Sequence, residues 1–458
     1  MTAEYLQALA EFVVHTPAQT MPDDVRVRAR EMIADCVACM MAGSRATEVR
    51  RLADMMFTRS SIKEASALGR AMRLPVEHAA YLGGVAGTWH DLDEGNLHTR
   101  THAAIQIVPV LFAEAQRRAL SGREVLDAFV IAYEVVSRLW QAASVRLAVH
   151  PHGTTGALAG AVALARTRGF DVQRTLKVMN VAMALGVVAS RRTLNDGATV
   201  RNIYTASGAR GAFDAVSLVE AGISGESDAP ASVLGQIYGE DFAPSVAMRD
   251  LGSTWWLRKS YFKRFASARY LHGPLDLLEF IATEDSACEP ALLYAADIER
   301  IDVDTYFMAA TMAQQSVNSA FGMRFSLPAA MATRIVRGPS PLTEEPVAAF
   351  EDPRVHQLAQ RIFVHEDAAA TAVYPAQQPS RLRLQYHDGR VHDACAPRIV
   401  GEGDCPLPDG ALCHKFIELC TPSLGVEMSE QAWATLMAID TVEDLALVCQ
   451  NWDDNVRA

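Results

Sequence analysis

Cysteine in metal-ligating order is missing from this chain. Of eight cysteines spread over 458 residues, only Cys36 and Cys39 form a CxxC, with no second pair and no adjacent histidine. Those thiols are expected on one face of a buried helix, reduced, and not at a metal or redox centre. Positive charge is also short: 42 Lys and Arg stand against 54 Asp and Glu, a formal charge of −12. That balance opposes general binding to nucleic acid or to an anionic membrane. No apolar run reaches the ~20 residues that a bilayer requires; the longest uncharged one, Val178 to Ser190, is bounded by Lys177 and Arg191. The opening MTAEYLQALAEFVV carries acid where an export signal carries base. A cytoplasmic protein is expected, without nucleic acid or membrane among its partners. Phosphate-binding glycine loops, a nicotinamide fingerprint and a serine elbow are absent in the strand-and-helix setting that each needs, so no cofactor is expected.

What remains is a chain that is half hydrophobic and only 7% aromatic, a composition of close-packed helices. Helical spacing runs through EYLQALAEFVV and VRVRAREMIADCVACMMAG, the second opened by Pro22 and two aspartates. Ser121 and Glu124 form a capping box at the head of EVLDAFVIAYEVVSRLW. The small-residue helix after VHPHGTTG lets another backbone approach closely, and RGAFDAVSLVEAG reads as a further helix after a polar connection. Another helix begins near His272. Beyond about residue 290 the texture changes: IERIDVDTYFM alternates, RIFVHED reads as a strand, and Asp388-Gly389 sits between two alternating runs as a hairpin turn. The helical pattern resumes in HKFIELC, SEQAWATLMAI and VEDLALVCQ. The fold class expected is mainly α with a smaller α+β domain: a helical domain over residues 1–272 and 403–458, and an inserted α/β lid over 273–402.

The polar exception to this apolar body is Gly87 to Val110. It gathers His90, His98 and His102 with Asp91, Asp93, Glu94 and the cation Arg100. Imidazoles beside carboxylates are what proton transfer near neutral pH requires. A solvated loop between helices has the same composition, so burial decides between the two. Basic residues collect separately in the middle of the chain, at Arg191, Arg192, Arg201, Arg258, Lys259, Lys263, Arg264 and Arg269. They could hold an anionic small molecule, or be solvated faces.

Several segments, taken in order, resemble the MmgE/PrpD family, which includes 2-methylcitrate dehydratases, cis-aconitate decarboxylases and an iminodisuccinate epimerase. WHDLDEGNLHTRTHAAIQIVPV is similar to the family's first site segment and puts Asp91 and His102 on its active-site Asp and His, with Asp93 on the second acidic position. SGREVLDAFVIAYEV matches a family helix, and HPHGTTG implies His150 as second catalytic histidine. In RNIYTASGARGAF, Arg201 occupies a lysine position; KRFASARYLH carries over Lys263, Arg269 and His272. EDPRVHQLAQRIFVHED and PSRLRLQYHDGR resemble lid strands. Ala103 follows His102 where the family has proline, Ala268 stands where members have Cys or His, and Ala329 stands where many have tyrosine.

The resemblance implies a homodimer and a cofactor-independent lyase, a dehydratase or decarboxylase, acting on a small anionic di- or tricarboxylate. Breaking a C–H bond beside a carboxylate builds charge on its oxygens, so such a site pairs a base with fixed cations. The catalytic set expected is Asp91, His102, His150 and Lys263, with Asp91 orienting an imidazole. Asp93, His98, Arg201, Tyr204, Arg269 and His272 are expected on the substrate side, His152 is a further donor, and no metal is required. An epimerase, and a carboxylate-binding member without chemistry, are the alternatives.

Overall fold

The computed structural model describes residues 3–187, 189–284 and 295–457. Helix α1 (Glu4–His15) is followed by α2 (Asp23–Gly43), which starts after Pro22 with Asp23 and Asp24 in its first turn. Negative charge there complements the helix dipole. Both Cys36 and Cys39 are buried in α2. Helix α3 (Val76–Trp89) crosses α2 and ends where the polar cluster begins; α4 (Ala103–Arg118) starts where it ends. Helix α5 (Gly122–Ala142) carries the expected capping box, with the Glu124 carboxylate accepting from Ser121 N–H at 2.8 Å and the Ser121 hydroxyl accepting from Glu124 N–H at 3.3 Å.

Two further helices, α6 (Gly156–Thr167) and α7 (Ile203–Glu220), pack backbone to backbone. A Cβ on Gly208 would lie 2.7 Å from Gly156 Cα, so only glycine permits this crossing. Helix α7 starts at Ile203, seven residues before Arg210, where its apolar pattern begins. Tyr204, Thr205 and Ala206 read as polar linker, but they are buried against α3 and the turn before α6, so tertiary packing extends the helix.

The apolar interior falls into two main clusters. One draws on residues between Tyr5 and Phe262 and again on Phe416 to Trp452. The other draws mainly on Ala268 to Tyr386. This second body holds α8 (His272–Glu284) and α9 (Leu327–Arg337) against a sheet of β1 (Ile298–Thr305), β2 (Ile362–Glu366), β3 (Ser380–Tyr386) and β4 (Val391–Ala396). Strand order is β2-β1-β3-β4, with β2 parallel to β1 and the other pairs antiparallel. The turn between β3 and β4 is the predicted Asp388-Gly389, with Gly389 at φ +88. In β1 the buried residues are Ile298, then Ile301, Val303 and Thr305; the irregularity at Ile298/Arg300 shifts the phase once.

The chain then returns to the first body through α10 (Ala411–Leu424), whose buried Lys415 donates to Asp35 on α2 at 2.6 Å and to Leu92 O at 2.9 Å. The C-terminal part thereby fastens the loop that carries the polar cluster. Among the described residues no helix is long and apolar enough to cross a membrane.

Candidate active site

The loop between α3 and α4 is not solvated. Asp91, Asp93 and Glu94 are at most 1% exposed, and its backbone is tied on both sides. Asn96 accepts from His98 N–H and Thr99 N–H and donates to Trp256 O. Gly95 and Tyr261 exchange backbone hydrogen bonds at 3.3 and 2.8 Å. Within this scaffold Asp91 and Arg100 hold positive φ, +54 and +48. Left-handed backbone at non-glycine residues costs free energy and persists where surrounding contacts over-determine it.

Burial makes the charges in the loop interdependent. Asp93 Oδ2 lies 2.9 Å from His102 Nδ1 and 2.9 Å from His152 Nε2, and Lys263 Nζ is 3.9 Å from its other oxygen. Burial alone would raise this carboxyl, but Lys263 and the two imidazoles outweigh that and hold it well below the usual carboxylate range. Asp93 is therefore the fixed anion of the site. Asp91 sits beside it and pairs with Arg201 Nη2 and, at 3.1 Å, with Lys263. Lys263 also donates to Asp91 O at 2.7 Å. Asp93, not Asp91, is thus the carboxylate in contact with the imidazoles, while Asp91 meets the two cations.

The hydrogen bonds assign the histidine protons. His102 Nδ1 faces the Glu94 carbonyl at 2.6 Å as well as Asp93, and since both are acceptors the ring carries its proton on Nδ1. Its Nε2 is left with a lone pair. His152 stacks on His102 with ring centres 4.1 Å apart. His150 Nδ1 accepts from His152 N–H at 3.2 Å, which leaves its own proton on Nε2 when neutral. Burial pushes His150 and His152 well below the ordinary imidazole value, helped by the neighbouring rings and by Arg201. Both are neutral near pH 7.

These groups meet at a cavity enclosing about 740 Å³ of empty space, part of it open to solvent. Asp91, His102, His150, His152, Arg201, Lys263 and Arg269 line it, and Met308, Met312 and Phe325 close it from the second body. Asp93 stands directly behind the imidazoles. Of the residues expected on the substrate side, His98, Tyr204 and His272 are not in the lining. His98 is half-buried on the far side of the Asn96 turn, Tyr204 packs its ring 5.8 Å from His150, and His272 meets Ser267 O and the Phe265 edge. Spacing in the chain did not reveal that these side chains point away. Arg201 and Arg269 line the cavity but are committed internally, Arg201 to Asp91, Thr88 O and Asn202, and Arg269 to Ile399 O, Val400 O and Glu402.

Two cavity cations have no carboxylate partner among the described residues. Arg191 meets only Met308 Sδ at 3.3 Å and Thr311 Oγ1 at 3.4 Å, besides the Tyr270 ring, and Arg100 donates to Val145 O at 3.0 Å near the Trp140 ring. Their charge is not taken up by a carboxylate of the described residues. Sequence carried a signal for both, since each is an arginine in or beside a polar break.

Asp93, His102 and His152 offer three ligand atoms within 4.8 Å of one another, which is a candidate metal set by donor type. Their surroundings fit a dication poorly. Lys263 already lies 3.9 Å from the one carboxylate of the set, Asp93, and Arg201 adds a second cation on the neighbouring Asp91, while the Asp93 contacts of 2.9 Å are those of hydrogen bonds already made.

Glu94 provides a measurable consequence. Its Oε1 accepts from Ala104 N–H at 2.7 Å, capping α4, while burial, opposed by that bond, pushes its carboxyl up to about 8. A folded-state value above the unfolded one gives stability that is full below the unfolded pKa and is lost as pH rises towards 8. Glu94→Gln keeps the cap and removes the titration. The variant is expected to lose less stability than the parent between pH 5 and pH 8.5, the difference approaching about 1.4 kcal/mol for each pH unit of the window. Urea midpoints at the two pH values read it; parallel losses in both proteins would mean that Glu94 is ionised in the fold at neutral pH.

Two family models match this chain: the MmgE/PrpD N-terminal domain over residues 7–237 and the MmgE/PrpD C-terminal domain over residues 265–440. The protein belongs to the MmgE/PrpD family. It is 20% identical to cis-aconitate decarboxylase of Aspergillus terreus, over 93% of this chain and 91% of that protein. A cis-aconitate decarboxylase-like protein of Aspergillus oryzae is 23% identical over 59% of this chain and 60% of its own length. Lys263 lies between the two matched spans.

Proposed function

We propose that this protein is a cofactor-independent lyase that removes a proton next to a carboxylate of a small di- or tricarboxylate and expels water or carbon dioxide. The observation that carries the proposal is the fixed tautomer of His102. Its Nδ1–H is held by Glu94 O and Asp93, so the lone pair on Nε2 belongs to the ring that lines the cavity, and Asp93 stabilises the imidazolium formed when that nitrogen takes a proton. The activity for which the A. terreus relative is named, decarboxylation of cis-aconitate, supports the same substrate class.

In the dehydration sense, the C–H electron pair moves into the new double bond, and His102 Nε2 takes the proton and returns it to the departing hydroxide, which leaves as water, hydrogen-bonded by His150 Nε2–H. When carbon dioxide leaves instead, the C–C pair remains on the substrate and carbon takes a proton from the imidazolium of His102, held beside Asp93. Arg191 and Arg100 hold the carboxylates whose oxygens gain charge, and buried Lys263 adds a fixed positive field. Two histidines on different segments facing one cavity also suit an epimerase, in which one ring removes the proton and the other returns it. The same reading includes a homodimer working in the cytoplasm, with residues 273–402 acting as a lid on a helical domain of residues 1–272 and 403–458.

Proton NMR in heavy water tests the chemistry. The protein is incubated with citrate, methylcitrate, aconitate and an aspartate-like dicarboxylate. Loss of a C–H signal together with a new unsaturated or decarboxylated product is the expected result. Exchange with inversion and no elimination moves the assignment to the epimerase. Silence across the panel counts against both.

A further inference from the structure

The wall that closes the active-site cavity towards the second body has another side. Ser267-Ala268 and Arg324-Phe325 run next to each other, tied by Ala268 N–H donating to Arg324 O at 2.9 Å. Ala268 and Phe325 face the active-site cavity, whereas Ser267 and Arg324 line a separate cavity with about 830 Å³ of empty space, part of it open to solvent. Alternate residues of one thin partition therefore serve two cavities.

The second cavity has unmet polar groups at its base. Ser267 and Arg324 are each 4% exposed, and both Ser267 Oγ and Arg324 Nε are buried without a hydrogen-bond partner. A buried donor left without an acceptor is destabilising, more so at a charged group. The nearest carboxylate oxygen to the Arg324 guanidinium is Glu345 Oε2 at 3.5 Å, on a side chain that is 43% exposed. The two Nη atoms of Arg324 are otherwise met by the carbonyls of Ala266, His90 and Glu344 at 2.9 to 3.3 Å, so the donor left unmet on this desolvated charge is Nε. Of the other cations at this cavity, Arg334 is paired with Glu279 at 2.6 Å and Arg337 with Asp352 at 3.5 Å, and the guanidinium nitrogen buried without a partner is Arg324 Nε. Phe265, Leu275 and Met323 make the adjoining walls apolar.

We propose that this second cavity binds a short-chain monocarboxylate, with the carboxylate at Arg324 and Ser267 and the alkyl chain along Phe265, Leu275 and Met323. One buried guanidinium and one hydroxyl match a single carboxylate better than a multiply charged anion, and the apolar walls match its tail. Such a ligand is coupled to the active site. Arg324 Nη1 donates to the carbonyl of His90 at 3.3 Å, and His90 immediately precedes Asp91, the anchor of Arg201 and Lys263. A carboxylate drawn onto Arg324 competes with that tie, so occupancy of the second cavity is read at the active-site loop.

Hexanoate is the probe, titrated calorimetrically into the full-length protein, with hexanol as the uncharged control. Ala330→Phe fills the second cavity from α9, Ser267→Ala deletes a proposed donor without adding bulk, and Ala268→Phe fills the active-site cavity instead. The expected result is binding to the parent and to Ala268→Phe, at least about tenfold weaker binding to Ala330→Phe, a few-fold loss in Ser267→Ala, and weaker binding of hexanol. Hexanoate should also shift the imidazole proton resonances of the active-site histidines in the Ala268→Phe protein. Absence of binding to the parent, full binding to Ala330→Phe, loss confined to Ala268→Phe, or equal binding of hexanol overturns the proposal, provided circular dichroism shows each variant folded. None of these readouts depends on turnover, so the outcome is separate from that of the lyase assignment.

Discussion

His102→Ala is expected to lower kcat/KM for the native substrate by about 10²–10⁴-fold, the range over which a positioned general base contributes, while leaving the thermal midpoint within a few degrees of the parent. The asymmetry follows from where the ring sits. His102 is the one imidazole of the cluster whose side chain is partly open to the cavity, at 14% exposure. Its loss removes a stacking partner from His152 but uncovers little core. Asp93 keeps His152 at 2.9 Å and Lys263 at 3.9 Å, so its charge is not abandoned. Steady-state rates and a thermal melt, made on the same preparation, read both halves. Wild-type turnover in the variant would remove His102 as the base and leave His150 as the ring to test. A large fall in the melting temperature would mean that the ring is chiefly a packing element. Asp93→Asn separates orientation from basicity: the amide can still accept at Oδ1, but the negative charge that stabilises the imidazolium is gone, so kcat should fall with little change in KM.

What made His102 a candidate in the sequence was local: a histidine beside carboxylates at the boundary of a helical pattern. The same kind of local information gave the capping box at Ser121 and the turn at Asp388-Gly389, because each rests on a few neighbouring residues whose backbone demands are strict. Two differences between expected and observed contacts have a shared cause. Asp91 and Asp93 are two residues apart in an irregular loop, and the positive φ at Asp91 swings its carboxylate towards α7 and Arg201 instead of towards the imidazoles. No periodicity forecasts such a turn. His98 and His152 trade places for a similar reason. A histidine within the richest polar stretch looks closer to the chemistry than one after His-Pro, yet the Asn96 turn faces His98 away from the cavity, while the start of the Pro151–Thr154 turn aims both His150 and His152 at the site. The helical body and the alternating strands were readable from burial pattern. The partners of Arg201 and Arg269 were not, since a charged residue in the sequence does not show whether its charge is spent inside the protein or offered to a ligand.

Arg201 carries the largest expected effect on stability. Asp91 is 1% exposed and Arg201 2%, and the guanidinium supplies Thr88 O at 2.9 Å and Asn202 Oδ1 at 3.1 Å in addition to Asp91. Arg201→Met would strand all three acceptors, leaving Lys263 as the cation within reach of Asp91. Breaking a buried pair by removing one partner costs about 3–5 kcal/mol, whereas replacing both partners costs far less. The double variant Arg201→Met with Asp91→Asn is therefore expected to recover part of the loss, although Lys263 would then face an amide in place of a carboxylate. Arginine and lysine are not equivalent at this position, because a single ammonium cannot reach the three acceptors as the planar fork does. Arg201→Lys should accordingly fall between the parent and Arg201→Met in urea denaturation. If Arg201→Met cost less than about 1 kcal/mol, or if the double variant lost the sum of the two single losses, the pair would not be the buried unit that its geometry describes. A positive outcome bears on catalysis as well as on folding. Asp91 holds Lys263 through both its carboxylate and its carbonyl, so once Arg201 is gone the ammonium is drawn more tightly to Asp91 and away from the substrate. kcat is then expected to fall in Arg201→Met even though Arg201 itself performs no proton transfer.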